Sequence, residues 1–152
     1  MYLVAASFGT SVHSVACPLE GSWRSDRELS MSFIANHSRL EKKTEIFLAE
    51  ILGHLETRFE KGVASLEMPD LRLMREGEEK LFEGFQEQSE YELLYCTEKV
   101  AVAMGKEAVT GKPLVTTYNF PEPNIMWVYI GNEDSAFPNL HIREYFRRKA
   151  SE

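Results

Sequence analysis

The chain has 152 residues, the length of a single domain, with 43% hydrophobic and 27% charged residues. This composition is that of a globular protein and excludes a disordered or collagen-like chain. The 24 acidic residues outnumber the 17 basic ones and give a formal net charge of -7. Duplex-binding modules usually present a basic face to the phosphates, so the charge argues against that class. No apolar run approaches the roughly 18 residues of a membrane span.

The first 36 residues predict a three-stranded β-meander. Residues 2–8 and 12–17 are mostly apolar, and the Gly-Thr pair between them suits a tight turn. Residues 18–27 form a polar connection, and the alternation of apolar and polar residues over 29–36 predicts a strand with one buried face. The chain start has no basic region and no small-residue cleavage site, so it is interpreted as a strand rather than a signal peptide.

Residues 38–111 are predicted to be mainly helical. Ser38 and Glu41 form a capping-box pair, and apolar residues at helical spacing follow it. A helix is therefore expected over residues 39–61, with a second helix opening near Pro69.

Two structures are open for residues 90–104. Ser89 and Glu92 form a second capping-box pair, which predicts a third helix. The alternation of Tyr91, Leu93 and Tyr95 fits a β-hairpin instead. Helix start and stop residues favour the helix.

Residues 113–146 are expected to return to β-strand, because 114–120 and 125–130 are rich in β-branched and aromatic residues around a proline-containing turn. Residues 147–152 form a basic tail that is expected to be frayed. Together these elements predict a single α+β domain. Its mainly antiparallel sheet is built from N-terminal and C-terminal strands and is covered on one face by two or three central helices.

The sequence contains no recognisable catalytic motif. Cys17 and Cys96 lie far apart and are expected to be buried, reduced thiols of a cytoplasmic protein. The histidines have no metal-ligand spacing, so no catalytic residue, metal or cofactor is predicted. One catalytic alternative stays open, in which Cys17 meets His13, His37 or His141 only in the folded structure.

The most charged segment lies in the middle of the chain, where residues 67–92 hold an excess of acids. A helix there would place glutamates along one face, and such a face could dock a basic partner. The glutamates in question are Glu76, Glu79, Glu83 and Glu87. Two aromatic residues in predicted loops, Trp23 and Phe137, are either plugs for the core or binding anchors.

The leading hypothesis is therefore a small, soluble, non-catalytic protein-binding module, such as an adaptor, chaperone or regulatory subunit. It would act through the acidic helical surface and the loop aromatics, with homodimerisation as a further expectation from size and apolar content. The second hypothesis is an enzyme with the dispersed Cys–His site. The third is a single-strand nucleic-acid binder acting through basic and aromatic residues of the last strand and tail, namely Arg143, Tyr145, Arg147, Arg148 and Lys149.

Overall fold

The computed structural model describes residues 16–106, 111–130 and 142–150, and these residues are mainly antiparallel β-sheet. The helices among them are α1 (Arg27–His37) and α2 (Lys42–Ile51). The strands are β1 (Gly21–Asp26), β2 (Glu56–Glu60), β3 (Val63–Met68), β4 (Leu71–Arg75), β5 (Glu78–Phe82), β6 (Phe85–Glu90), β7 (Glu92–Cys96), β8 (Val100–Lys106), β9 (Pro113–Glu122), β10 (Ile125–Tyr129) and β11 (Arg143–Arg148).

Nine of these strands form one antiparallel sheet in the order β6-β3-β2-β1-β11-β10-β9-β8-β7, which curls into a nearly closed barrel. Its two edge strands, β6 and β7, follow each other directly in the chain and are separated only by Tyr91. We call the gap between these two edges the seam. Strands β4 and β5 form a separate hairpin that is inserted between β3 and β6.

Strand register identifies the inner face of the barrel, because residues that lie opposite each other in a ladder point to the same side. Trp23 lies opposite Thr57 and Arg148, and Phe146 lies opposite Ser25 and Met126. The side chains on this face form one continuous buried cluster. Its strand members are Trp23, Phe59, Ala64, Ala101, Ala103, Phe120, Met126 and Phe146.

One end of the barrel is closed by large side chains and a disulfide bond, and we call it the sealed end. Trp23 is fully buried there, and its indole Nε1 donates a hydrogen bond to the Leu19 carbonyl at 2.9 Å. The Trp23 ring lies 5.8 Å from the Phe120 ring, and the Arg148 guanidinium lies 4.2 Å from its centroid. A disulfide joins Cys17 to Cys96 beside this cluster.

The two helices lie at the other end. Asp26, the last residue of β1, caps α1 by accepting a hydrogen bond from the Leu29 amide at 2.9 Å. Ser30 Oγ accepts one from the Tyr145 amide at 2.8 Å, which ties α1 to β11. A second core joins α1 and α2 to residues that follow β10 and precede β11. Its buried members are Ile34, Leu48 and Leu52, and Ile130 and Ile142 pack against them.

The prediction of a sheet covered on one face by two or three central helices is wrong. Residues 29–36, predicted as a strand, belong to α1, and the predicted connection over 18–27 contains β1. Ser30 and Ile34, four residues apart, are the buried positions of α1, so the face that packs follows helical spacing despite the period-two pattern. Residues 2–8 and 12–15 lie outside the described residues.

The predicted helix over 39–61 is half correct. It is present as α2 but ends at Ile51, and Gly53 then adopts a φ of 93°, from which the chain enters β2. Ser38 caps the end of α1 instead of starting a helix, because its amide bonds to the Ile34 carbonyl at 2.9 Å. Ser38 therefore marks the C-terminal end of α1, whereas the capping-box pattern predicted that it would mark the start of a helix.

The predicted helices between residues 69 and 111 are strands. Glu76 and Gly77 have φ values of 53° and 83°, so they form the tight turn that joins β4 to β5. The hairpin alternative for 90–104 is the correct one and corresponds to β7 and β8. The strands predicted over 114–120 and 125–130 are present as β9 and β10, whereas the tail expected to fray contains the last two residues of β11.

Candidate functional site

The inner wall of the barrel beside the seam is the strongest candidate site. Phe85 on β6, Leu93 on β7 and Leu114 on β9 all lie on the inner face, since they are opposite Met68, Ala103 and Gly105. They are nevertheless 37%, 42% and 46% exposed. Side chains normally fill the interior of a small barrel, so these three apolar side chains stand out as inward-facing residues that the chain only partly covers.

Strand β8 contributes only small side chains to this part of the wall. Its inward-facing residues are Ala101, Ala103 and Gly105, while Val102 and Met104 face outward. Ala101 and Ala103 are buried in the core cluster, at 0% and 3% exposure, and a Cβ on Gly105 would lie 3.7 Å from the Glu90 carbonyl oxygen. Leu93 and Leu114 on the neighbouring strands stay exposed beside these residues.

A few fixed polar groups share the inner face. Ser25 Oγ donates a hydrogen bond to Glu144 Oε1 at 2.6 Å and accepts one from the Gly53 amide at 2.9 Å. Burial raises the pKa of the Glu144 carboxyl, and the hydrogen bond from Ser25 opposes that shift. Burial also raises the pKa of Tyr118. An apolar wall with a small number of oriented polar groups is typical of small-molecule pockets.

A second feature is an acidic groove of about 1120 Å³ on the outer face of β1, β2, β3 and β6. Its charged lining residues are Glu20, Glu56, Glu60, Glu67, Glu87, Arg58 and Lys149. The two cations are already paired, Arg58 with Glu60 and Lys149 with Glu56, each at 2.7 Å. The groove therefore keeps a negative excess.

Tyr91 and Glu20 lie at one end of the acidic groove. The Tyr91 hydroxyl donates to Glu20 Oε1 at 3.3 Å, and the Lys61 amide donates to Glu20 Oε2 at 3.4 Å. Burial, followed by the charge and hydrogen bond of Glu20, raises the pKa of Tyr91 to about 12. This phenol is therefore neutral at physiological pH.

The four predicted docking glutamates do not share a helical face, because their segment folds as strands and turns. Glu76 lies in the β4–β5 turn, Glu79 on β5 is paired with Arg72 at 2.6 Å, and Glu83 lies between β5 and β6. Only Glu87 lines the acidic groove, and its register partner Leu66 places it on the inner-face side of β6. Of the two aromatic anchors, Trp23 is buried in the sealed end and Phe137 lies outside the described residues.

Three of the residues proposed to contact nucleic acid, Arg143, Tyr145 and Arg147, share the outer face of β11, but each already has contacts within the chain. The Arg143 guanidinium stacks 3.8 Å from the Trp127 ring on the outer face, and Tyr145 lies on the same face beside α1. Arg148 points inward over Trp23. Arg147 donates to Asp26, and Lys149 pairs with Glu56.

The dispersed Cys–His site is not assembled in the described residues. Cys17 is in the disulfide with Cys96, so the prediction of two reduced thiols is wrong, and the argument from thiols for a cytoplasmic location falls with it. His37 packs against Phe33, with ring centroids 4.6 Å apart, and His13 and His141 lie outside the described residues. Within residues 16–106, 111–130 and 142–150, no three His, Cys, Asp or Glu side chains are placed to hold a metal ion.

No protein-family model matches this chain, and no curated protein shows significant sequence similarity to it. In the part of the chain that the structure describes, no helix is both long enough and apolar enough to cross a membrane.

Sequence reasoning missed the inner wall. The run Val100 to Gly105 alternates larger residues with Ala101, Ala103 and Gly105, and this alternation of size was the available indication of a strand with small side chains on one face. The helix interpretation of residues 90–104 concealed it, because a helix distributes the same residues around its axis.

Proposed function

We propose that this protein is a non-catalytic binding protein that holds a small, uncharged apolar molecule against the inner wall of its barrel beside the seam. The supporting observation is the exposure of Leu93 and Leu114 on an inward face. Apolar side chains left in contact with water inside a barrel gain free energy when an apolar ligand covers them.

The surroundings of this wall favour retention of a ligand. The sealed end closes one side with a packed core, and the helix pair lies at the opposite end. In the described residues, the edge strands β6 and β7 are not paired with each other in the sheet. The seam between them therefore gives a ligand a route into the barrel from the side. The Ser25–Glu144 pair supplies a fixed polar group on the same inner face.

Binding of the uncharged fluorescent probe N-phenyl-1-naphthylamine to the native protein tests this proposal. We expect saturable fluorescence enhancement, and Leu114→Asn should weaken the probe's affinity about tenfold, the value of one well-buried leucine. Val115→Asn is the matched control, because Val115 is 54% exposed on the same strand but points to the outer face. It should leave affinity within about twofold.

A second pair of variants enlarges a side chain instead of changing its polarity. Ala103→Phe should block the probe, whereas Val102→Phe on the outer face should not. Equal effects of inward and outward substitutions in both pairs, or an absence of saturable enhancement, would disprove interior binding.

The acidic groove favours a second function, docking of a protein partner with a basic surface. Glu56 and Glu67 lie directly opposite each other on β2 and β3, an arrangement that costs stability unless a cation lies nearby. Lys149 contacts Glu56, so Glu67 is the carboxylate that a cation of the partner would neutralise. Homodimerisation, cytoplasmic location and regulatory or adaptor roles stay predictions.

An oligolysine peptide at low salt tests the groove. Glu67→Lys should weaken peptide binding about threefold to tenfold, while the same reversal at Glu92, on β7 away from the groove, should have a smaller effect. Equal losses in the two variants would show that only net charge matters and would remove the groove as a docking site.

A further inference from the structure

A pocket of about 380 Å³ lies on the outer face of the barrel, where β1 ends and α1 begins. It is lined by Arg24, Ser25, Asp26, Arg27, Leu52, Gly53, His54 and Arg147. Three arginines stand against one aspartate in this lining, so with His54 neutral the formal charge is 3 − 1 = +2. In a chain of net charge -7, this is a marked local reversal of sign.

Two of these arginines face each other across a strand pair. Arg24 on β1 and Arg147 on β11 are register partners, and like charges in that position destabilise a sheet. Their countercharges are shared or partial. Arg147 Nε donates to Asp26, which also caps α1, while Arg24 Nε lies 3.9 Å from a Glu56 carboxylate that Lys149 contacts at 2.7 Å.

Backbone carbonyl groups at the end of α2 and just after it bind the guanidinium groups of Arg24 and Arg27. Arg24 Nε donates to the Gly53 carbonyl at 3.4 Å, and Arg27 donates through Nε and Nη2 to backbone carbonyls of residues 52 and 50 at 3.2 and 3.4 Å. These bonds fix the side chains against the loop after α2. The side chains of Arg24 and Arg147 are 58% and 59% exposed, so much of each guanidinium stays open to solvent.

We propose that this pocket binds a phosphate dianion, either free or as the end group of a phosphomonoester. Guanidinium forks match the oxygens of a tetrahedral oxyanion in geometry and number. A dianion balances the charge of +2, whereas a monocarboxylate would leave one positive charge uncompensated. The pocket lies on the outer face, so this proposal stands apart from the apolar ligand inside the barrel.

His54 lies in the same pocket, where its imidazole is exposed to the field of these arginines. Its pKa is lowered by burial and then by the positive charges of Arg27 and Arg24, and a hydrogen bond to the Glu50 carbonyl opposes the shift. A bound dianion would offset the two arginines and raise the pKa of His54. The imidazole is thus a reporter inside the pocket.

The test is an NMR titration of the histidine ring resonances in the full chain at neutral pH, with inorganic phosphate as the probe. His54→Gln identifies the reporter signal among the four histidines. We expect a saturable shift of the His54 resonance with phosphate, and a raised His54 pKa in a pH titration with sulfate, whose charge is constant. Potassium chloride at equal ionic strength and sodium acetate should give neither.

Arginine variants locate the site. Arg24→Gln should weaken phosphate affinity about tenfold, because it removes charge-assisted hydrogen bonds, and Arg58→Gln, an arginine with its own glutamate partner, should change it less than about twofold. Phosphate should also raise the melting temperature of the wild type but not of Arg24→Gln, provided that both are folded without it. Because Arg24→Gln relieves a like-charge pair, it should fold as well as the wild type.

Glycerol 3-phosphate separates the two sources of the dianion. Tighter binding than inorganic phosphate assigns the pocket to phosphomonoesters, and equal or weaker binding assigns it to free phosphate. A His54 response that follows ionic strength alone, or that is the same in Arg24→Gln and Arg58→Gln, overturns the proposal.

Discussion

The sealed end and the seam wall are built from the same inner face of the same sheet, yet they differ in how that face is filled. At the sealed end, Trp23 and Phe120 occupy the interior and the Cys17–Cys96 disulfide joins the chain start to β7. At the seam, Ala103 is buried as well, but Leu93 and Leu114 on the neighbouring strands remain exposed on the inner face. One face can therefore supply stability at one end and a binding surface at the other. The difference lies in the volume of the inward side chains rather than in backbone pairing.

The largest effect is expected at Trp23. Trp23→Ala removes the central side chain of the sealed end together with its hydrogen bond to Leu19 and its contact with Arg148. We expect a loss of about 4 to 5 kcal/mol in the free energy of unfolding, measured by urea denaturation. A loss under about 1 kcal/mol would mean that the sealed end is not the stabilising half of the barrel.

The disulfide should rank next. Cys17 and Cys96 are separated by 79 residues, so their bond restricts a large part of the unfolded chain. Cys17→Ser combined with Cys96→Ser should cost about 3 kcal/mol by the same measurement. Reduction of the wild type should reproduce this loss and leave the double variant unaffected. Stability that is unchanged by reductant would contradict the assignment.

Glu144 gives a smaller effect with a definite sign. Its pKa is raised in the folded state from the ordinary 4.5, so the native protein holds this proton more tightly than the unfolded chain. The free energy of unfolding therefore falls as pH rises from the ordinary value through the raised one. Glu144→Gln keeps an oxygen that can accept from Ser25 and should become the more stable protein above that range.

Urea unfolding at several pH values checks this sign, with Glu92→Gln as the control for loss of one exposed carboxylate. If the free energy of unfolding of the wild type instead rose relative to that of Glu144→Gln as the pH increased, burial could not be the cause of the shift.

The smallest effect on stability is expected at the seam. Leu114→Asn changes a side chain that is already 46% exposed, so the free energy of unfolding should fall by less than about 1 kcal/mol. Leu114→Asn should also lose affinity for the apolar probe. Only then does its small loss of stability, set against the large loss in Trp23→Ala, distinguish a binding surface from a packed core. A large stability loss here would indicate a packed wall and would remove the proposed binding surface.

The elements predicted correctly are those in which local chemistry and tertiary environment agree. The strands β9 and β10 combine β-branched and aromatic residues with a proline-containing turn. The errors arise where a short pattern fits two structures. The alternation over 29–36 fits a strand, but Asp26 and Ser30 form hydrogen bonds that begin and anchor a helix.

The candidate sites were harder to predict than the strands. The arginine pocket joins residues of β1, the loop after α2 and β11, and the Ser25–Glu144 hydrogen bond joins residues 119 positions apart. No spacing rule connects such positions. Sequence motifs identify ligands that come from one local turn, whereas these groups meet only after the barrel closes.

The sequence by itself determined the composition of a globular domain, the acidic balance and the C-terminal strands, whereas for residues 90–104 its helix start and stop residues favoured the wrong structure. Tertiary structure alone decided which side of each strand faces inward, because a one-residue change of register exchanges the two faces. It also decided that Trp23 fills the interior while Leu114 does not, since burial depends on the volume contributed by neighbouring strands. For the same reason, only the folded sheet could bring Arg24 opposite Arg147.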